Sequence, residues 1–408
     1  MANNPIIMVS SYPPRFCGIG TFTEEAREFI QKTSPHREVL VISHTDGRGK
    51  GVFPIIDLNR PDWWKPVAEK IEKLDPYAIH LEHEYGLYEY RDKDGRGDSN
   101  QGFLMLLETV RSYPIVVEPH TVHGRPRDAE ANFLYDVCQR SDVVLVKCHY
   151  QKWRLDWVFP GYGRDTPQNM MVVPHGARAD MRWGIHEIPK LRRELGLDET
   201  GLADHVVGMI GWIQSNKRWD ILLSMWEEIH EEIKSRNGQE WDLLAAGAMR
   251  DPNHKVDYDQ WKSAALELEQ KGIAHYYEFS PRGVTYYKMM AVCDFVVLPS
   301  VDETQSGTLA RIISLNKPYV TTAPMEGLTS QTLESQGGLL FTTKQMLREK
   351  VIRLACDEEL RLELGESLKR YLDEVVSWDV VARQYLRAYE LARESKRSGQ
   401  PVVLDSEF

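Results

Sequence analysis

The chain has little cysteine. Its five residues, Cys17, Cys138, Cys148, Cys293 and Cys356, are scattered and form no CxxC pair. That spacing excludes a disulfide framework and a cysteine-rich zinc site, and reads as reduced thiols in a cytoplasmic protein. Positive charge is not in excess either. Fifty basic against 61 acidic residues leave a net −11, which argues against nucleic acid or an anionic membrane as the principal partner. No apolar run approaches the length needed to span a bilayer. The opening residues, MANNPIIMVSSYPP, carry no basic n-region and only a four-residue apolar run, so they read as neither signal peptide nor membrane anchor. What is present, 42% apolar and 27% charged residues over 408 positions, suits a soluble globular enzyme of two domains.

Strand and helix patterns alternate along the chain. In the first half, short apolar runs at Ile6–Ser10, Val39–Ser43, Ala78–Glu82, Ile115–Glu118, Val143–Val146 and Met171–Val173 predict strands. Helical patterns fall between them near Thr23–Lys32, Pro66–Lys73, Gly102–Ser112 and Ala129–Arg140. Thr21 with Glu24 three residues on reads as a capping box for the first of these helices. A second series of strands is expected at Val206–Ile210, Leu243–Ala246, Tyr276–Phe279, Phe295–Leu298, Tyr319–Thr321 and Gly338–Phe341. The stripe Leu222, Met225, Ile229 and Ile233 predicts one helix over Trp219–Arg236. Strands separated by helices imply parallel, doubly wound sheets. The fold class is therefore α/β, with two tandem Rossmann-like domains over residues 1–185 and 200–377 and their boundary in the charged stretch Arg182–Asp204. Their carboxyl edges are expected to face each other across an interdomain cleft that holds the ligand.

The most informative stretch is Asp294–Pro318. A buried strand, Phe295–Leu298, runs into a polar loop, and a helix opens at Ser306-Gly307-Thr308. A first turn without bulk exposes backbone N–H groups that can seat a phosphate. Glu303, just before it, is placed to meet a neutral polyhydroxyl group. Phosphate seat and carboxylate together suggest a sugar joined to a diphosphate. Further segments sit at predicted strand ends: Ser11–Gly20, Glu82–Gly86, His120–His123 and Gly211–Arg218. One long loop, Tyr88–Gln101, holds Asp92, Asp94 and Asp98. Its spacing fails the EF-hand pattern, because Arg96 and Phe103 stand where ligands belong, so it reads as a mobile solvated loop.

Taken together, SYPPRFCGIGTFT, HEYG, PHTV, VPHG (Val173–Gly176), the Lys217 loop, TQSG and KPYVTT resemble the retaining glycosyltransferases of the GT-B fold, the fourth (group 1) sequence family of nucleotide-sugar enzymes. The likeness runs from Ile7 to about Ala392. It implies that the last helix, 378–394, packs back on the first domain. It also implies roles. Gly18 and Gly20 let the backbone approach the donor phosphate. His120 bonds hydroxyls of the transferred sugar, Lys217 neutralises the leaving diphosphate, and Glu303 holds the sugar. Ser306, Gly307, Thr308 and Leu309 supply the amide cradle, and Phe279–Arg282 lies at the base. The acceptor side falls to Arg15, His83, Glu84, Tyr85 and the Tyr88–Gln101 loop.

Two positions depart from the family's pattern. Arg311 stands where a second glutamate usually grips the ribose, and Trp212 where an arginine usually pairs with Lys217. Arg311, Arg218 or Arg282 could restore the missing positive charge. The resemblance implies transfer of a hexose with retention, GDP-mannose slightly ahead of UDP-glucose as donor, to a carbohydrate or glycoside acceptor. The nucleotide sugar enters as co-substrate, and no cofactor or metal is called for, since helix dipole and lysine supply the positive charge. A glycoside phosphorylase or disaccharide synthase on the same fold, and a non-catalytic sugar-nucleotide sensor, are the alternatives. The segment Gln151–Trp157 mixes tryptophans with basic residues and reads as a packed surface helix rather than a membrane anchor.

Overall fold

The computed structural model describes residues 4–301, 304, 306–323 and 326–404. It divides into two compact units, residues 1–176 with 378–408, and residues 177–377. The division falls at Gly176, ahead of the charged stretch in which sequence placed it. That stretch belongs wholly to the second unit, where Leu191, Leu195 and Leu197 join its core.

The first unit holds a seven-stranded sheet in the order β3-β2-β1-β4-β5-β6-β7. The strands are β1 (Ile6–Val9), β2 (Val39–His44), β3 (Val52–Ile56), β4 (Ala78–His83), β5 (Ile115–Pro119), β6 (Val143–Val146) and β7 (Met170–Val172). All pairings are parallel. Every residue of β1, β2, β4, β5 and β6 is buried. Helices cover both faces of such a sheet, which is why these strands appear in sequence as continuous apolar runs. The strand missed in sequence is β3. It is the sheet edge, half-exposed, with Pro54 at its centre, and an edge strand is where a proline does no harm to the ladder.

The second unit holds a six-stranded parallel sheet, β10-β9-β8-β11-β12-β13. Its strands are β8 (His205–Ile213), β9 (Trp241–Met249), β10 (Ala274–Glu278), β11 (Phe295–Leu298), β12 (Tyr319–Thr322) and β13 (Gly338–Phe341). The helix expected over Trp219–Arg236 is broken into Trp219–Leu223 and Trp226–Asn237, with Ser224 and Met225 between them. Leu222, Ile229 and Ile233 are fully buried while Met225 is only partly so. The apolar stripe thus survives a break that its periodicity does not reveal.

The helix Trp378–Ser398 returns to the first unit. Val381, Ala382, Tyr385, Ala388, Tyr389 and Ala392 are all fully buried on it. Two tyrosines anchor it to the sheet. Tyr385 donates to Glu118 Oε1 at 2.9 Å, and Tyr389 Oη lies 2.8 Å from His80 Nδ1. Glu118 also meets His80 Nε2 at 3.0 Å and the buried Lys147 ammonium. Burial opposes ionisation of Glu118, yet Lys147 and then His80 hold its carboxyl well below the usual carboxylate range.

Candidate donor and sugar sites

In the second unit β8 and β11 are neighbours. After β8 a tight turn, Ser215–Lys217, brings the lysine to the strand end, its N–H bonded to Gln214 O at 2.8 Å. Val301 N–H donates to Asn216 O at 2.7 Å, tying the segment after β11 to that turn. Together these strand ends form a cavity lined by Gly211, Trp212, Lys217, Leu298, Ser300 and Thr308. Gly211 has a φ of +149°, and a Cβ there would lie 3.0 Å from the Tyr286 hydroxyl, so the strand exit requires glycine.

The helix Gly307–Ser314 opens beyond β11. Ser306 is its N-cap, extended in backbone, and its Oγ accepts from Leu309 N–H at 3.2 Å. The sequence assigned Ser306 through Leu309 to an amide cradle. Leu309's amide is engaged by the cap, and Gly307 and Thr308 head the helix with their amides ahead of it. Thr308 Oγ1 shares a 2.8 Å hydrogen bond with the Tyr286 hydroxyl. Ser300 Oγ is buried with no hydrogen-bond partner among the described residues and lines the same cavity. Ser300 and Tyr286 were not singled out in sequence, and Gly211 stood there only as the first residue of the strand-end segment Gly211–Arg218. Ser300 carried one usable signal, its place directly after a strand and a proline.

The arginines take different positions. Arg311 lies one turn into the helix, donates to Gly307 O at 2.7 Å, and sits 5.1 and 5.5 Å from the rings of Tyr286 and Tyr287. Arg282 lies 5.6 Å over the Trp212 ring. A guanidinium therefore lies beside Trp212, the position at which the resemblance leads one to expect an arginine. Desolvation, then the nearby Arg250, lowers the Arg282 pKa. Arg218 is less suited to a phosphate. It is held in left-handed backbone at φ +49° and binds Asp220 through two nitrogens at 2.9 Å each, so its charge is already matched. Glu303 lies outside the described residues.

In the first unit the helix after β1 spans Gly18–Thr33. Its N-cap is Cys17, with no side-chain cap bond, so the capping box predicted at Thr21 and Glu24 does not form: Thr21 already lies inside the first turns. The two glycines differ. A Cβ at Gly18 would meet nothing within 4 Å, so nothing inside the protein demands glycine there. A Cβ at Gly20 would come into contact with the Tyr12 backbone at 3.4 Å, so the chain passes close there but packing alone does not demand glycine.

His120 follows β5 and is 8% exposed. Its ring meets Phe22 edge-on at 4.8 Å, and its Nε2 lies 3.6 Å from Glu82 Oε2. His83, assigned to the acceptor on sequence, is instead a core residue. It is 1% exposed, stacked on Tyr88 and packed against Phe103 and Phe133, with Nε2 3.1 Å from Asn100 Oδ1. Desolvation lowers its pKa to about 3, against which the Asn100 bond works only in part. Glu84 caps the short helix Tyr85–Tyr88 and accepts from Thr121 Oγ1 at 2.5 Å. Tyr85 has a buried hydroxyl with no partner among the described residues. Arg15 pairs loosely with Asp46 at 3.4 Å on the surface.

The loop after Tyr88 is more ordered than its composition suggests. Asp98 accepts from the amides of Tyr90, Asn100 and Gly102, and Asp92 from those of Asp94 and Arg96. The Asp92 and Asp98 carboxylates are thus engaged by the backbone. The helix His149–Gly161 buries Gln151, Leu155 and Phe159 and leaves Trp153 and Trp157 39% and 67% exposed. The segment is thus a surface helix packed through one face, with its two tryptophans on the open side. No helix among the described residues is long and apolar enough to cross a membrane.

Residues 204–357 match the family described as glycosyl transferases group 1. A comparison with curated proteins found no match. Among solved structures, Anabaena HepE in complex with UDP and glucose superposes with a TM-score of 0.68 at 14% identity, covering 95% of this chain and 99% of that one. A glycosyltransferase from Rickettsia africae gives 0.68 at 13%, over 96% and 99% of the two chains. Sucrose-phosphate synthase from Thermosynechococcus elongatus gives 0.68 at 12%, over 96% and 100%. At these identities the likeness establishes the fold. The chain has the two-sheet, Rossmann-like GT-B fold and carries a group 1 glycosyl transferase domain over residues 204–357.

Proposed function

We propose that the protein is a retaining glycosyltransferase that moves a hexose from a nucleotide-diphosphate sugar to a carbohydrate or glycoside acceptor. The observation that carries the reading is the cavity at the ends of β8 and β11, where Lys217, Ser300 and Thr308 converge at the head of the helix Gly307–Ser314. Negative charge builds on the diphosphate as the anomeric bond breaks, and the transition state at the sugar is oxocarbenium-like. The amides of Gly307 and Thr308 and the Lys217 ammonium meet that charge without reorganising. Arg311 and Arg282 add positive charge around the nucleotide. In this reading no metal and no protein nucleophile take part. The departing phosphate receives the acceptor's proton on the same face, and configuration is retained. UDP-glucose and GDP-mannose are the two donors to try first. The first gains support from the UDP and glucose bound in HepE and from the UDP-forming trehalose-phosphate synthase of the same fold. The second rests on the family likeness of the motifs.

A thermal-shift panel of UDP, GDP, ADP and inorganic phosphate tests the reading. A nucleoside diphosphate at about 100 times its Kd adds about 2.7 kcal/mol of stability, and the matching one should raise Tm by several degrees. Stabilisation only by phosphate together with a free sugar would replace the transferase with a phosphorylase.

A further inference from the structure

Two buried polar side chains lie side by side in the first unit, and each has one atom without a hydrogen-bond partner among the described residues. Glu82, near the end of β4, is fully buried. Its Oε2 accepts from Ser10 Oγ at 2.9 Å and Thr23 Oγ1 at 2.6 Å. Its Oε1 has no partner among the described residues, and neither does Nε2 of His120, 3.6 Å from Glu82 Oε2. Unpaired buried polar atoms are costly, and a pair of them in one place calls for an explanation. The neighbouring charges are already engaged. Lys147 binds Glu118, and Glu118 is further held by His80 and Tyr385. Glu82 is thus the acceptor left for the buried nitrogen of His120. A shift of about half an ångström brings the two within hydrogen-bond range, and such bonds commonly tighten only when ligand binds.

We propose that Glu82 is a positioning residue that holds His120 as its Nε2–H tautomer. Phe22 fixes the ring from the side at 4.8 Å, and the His120 amide is pinned to His83 O at 2.8 Å. With Nε2 protonated and turned inward, Nδ1 keeps its lone pair and is the nitrogen that the remaining 9% exposure of the side chain leaves for a ligand. It can then only accept. The ligand group it takes is a neutral hydroxyl, and a cation or an N–H donor besides; an anionic oxygen is turned away. The carboxylate behind the ring also raises the acceptor strength of Nδ1. Sugar recognition by His120 rests on the function proposed above. The placement of the proton does not.

Imidazole ¹⁵N shifts of the histidine-labelled, full-length protein at pH 8.5 test the tautomer without substrate. His120 is expected as Nε2–H in the wild type. Glu82→Met, which removes the acceptor, should abolish that bias, while Glu82→Gln, which keeps an acceptor oxygen, should preserve it. A wild-type His120 protonated at Nδ1 overturns the proposal, as does a tautomer unmoved in Glu82→Met, and the first of these needs no variant to fold. Turnover of UDP-glucose or GDP-mannose supplies the second readout: Glu82→Met should lower kcat about 10- to 100-fold with little change in donor KM, and Glu82→Gln should recover part of it. A donor KM that rises as kcat stays constant would also overturn it. If the tautomer behaves as stated while neither donor is bound, the proton placement stands and the transferase reading falls.

Discussion

The two units differ in how far they bury charge. In the first, Glu82, Glu118, His80 and Lys147 lie at or below 1% exposure, on and between the central strands; Glu118, His80 and Lys147 are tied together and to the last helix, and Glu82 is held by Ser10 and Thr23. In the second, Asp242 and His275 form a buried pair at 3.2 Å, but the groups assigned to chemistry sit at strand ends: backbone amides heading a helix, a lysine on a turn, arginines laid on aromatic rings. A buried ion network resists change because every member is the solvation of the others. A charge at a strand end interacts little with the core and can answer to a ligand. Stability should therefore follow the Glu118 network of the first unit, and activity the strand-end groups of the second, and mutation can break that separation if it is wrong.

The largest effect is expected at Lys147. Lys147→Met leaves the Glu118 carboxylate buried with only His80 and Tyr385, and should cost about 3–5 kcal/mol in denaturant melts. Adding Glu118→Gln should recover much of that loss, since the uncompensated charge is gone. A single variant as stable as wild type would show that the network is not ionised as described.

Lys217→Ala is the counterpart in the second unit. It should reduce turnover about 10²- to 10³-fold, as removal of one group stabilising a developing oxyanion does, with stability changed by less than about 0.5 kcal/mol. Steady-state kinetics beside a melt decide it. Equal losses of folding and activity would make the lysine a structural residue and erase the contrast between the units.

Much of this architecture was legible before any coordinates, and the reason is physical. A strand buried on both faces, such as β1 or β11, is mostly apolar along its length, so it writes a short apolar run bounded by turn residues. The Ser306-Gly307-Thr308 start was legible because a helix head free of bulk is a local property. Other features depend on what a segment packs against. β3 hid because an exposed edge tolerates Pro54, and the start of the first helix was misread because Cys17 caps it without a side chain. The histidines show the limit most plainly. His83 and His120 both follow strand ends in polar-looking motifs, yet one is enclosed by Tyr88, Phe103 and Phe133 while the other keeps an edge toward solvent. Only the enclosing side chains, distant in sequence, tell them apart.

The smallest expected effect sharpens that last distinction. Burial holds the pKa of His83 at about 3, well under its ordinary value of 6.5. A histidine depressed in the folded state binds a proton more readily when unfolded. Its contribution is therefore complete above pH 6.5 and is lost as pH falls from there toward 3. Between pH 7.5 and 5 the loss from His83 alone comes to about 2 kcal/mol. His44, depressed to about 4 by burial, loses stability over the same range and in the same direction. His83→Phe, which suits the surrounding aromatic rings, should flatten the fall in stability between pH 7.5 and 5 by about 2 kcal/mol in urea melts, whatever it does at pH 8. An unchanged slope would mean that His83 is solvated, and would return it to the set of residues available to an acceptor.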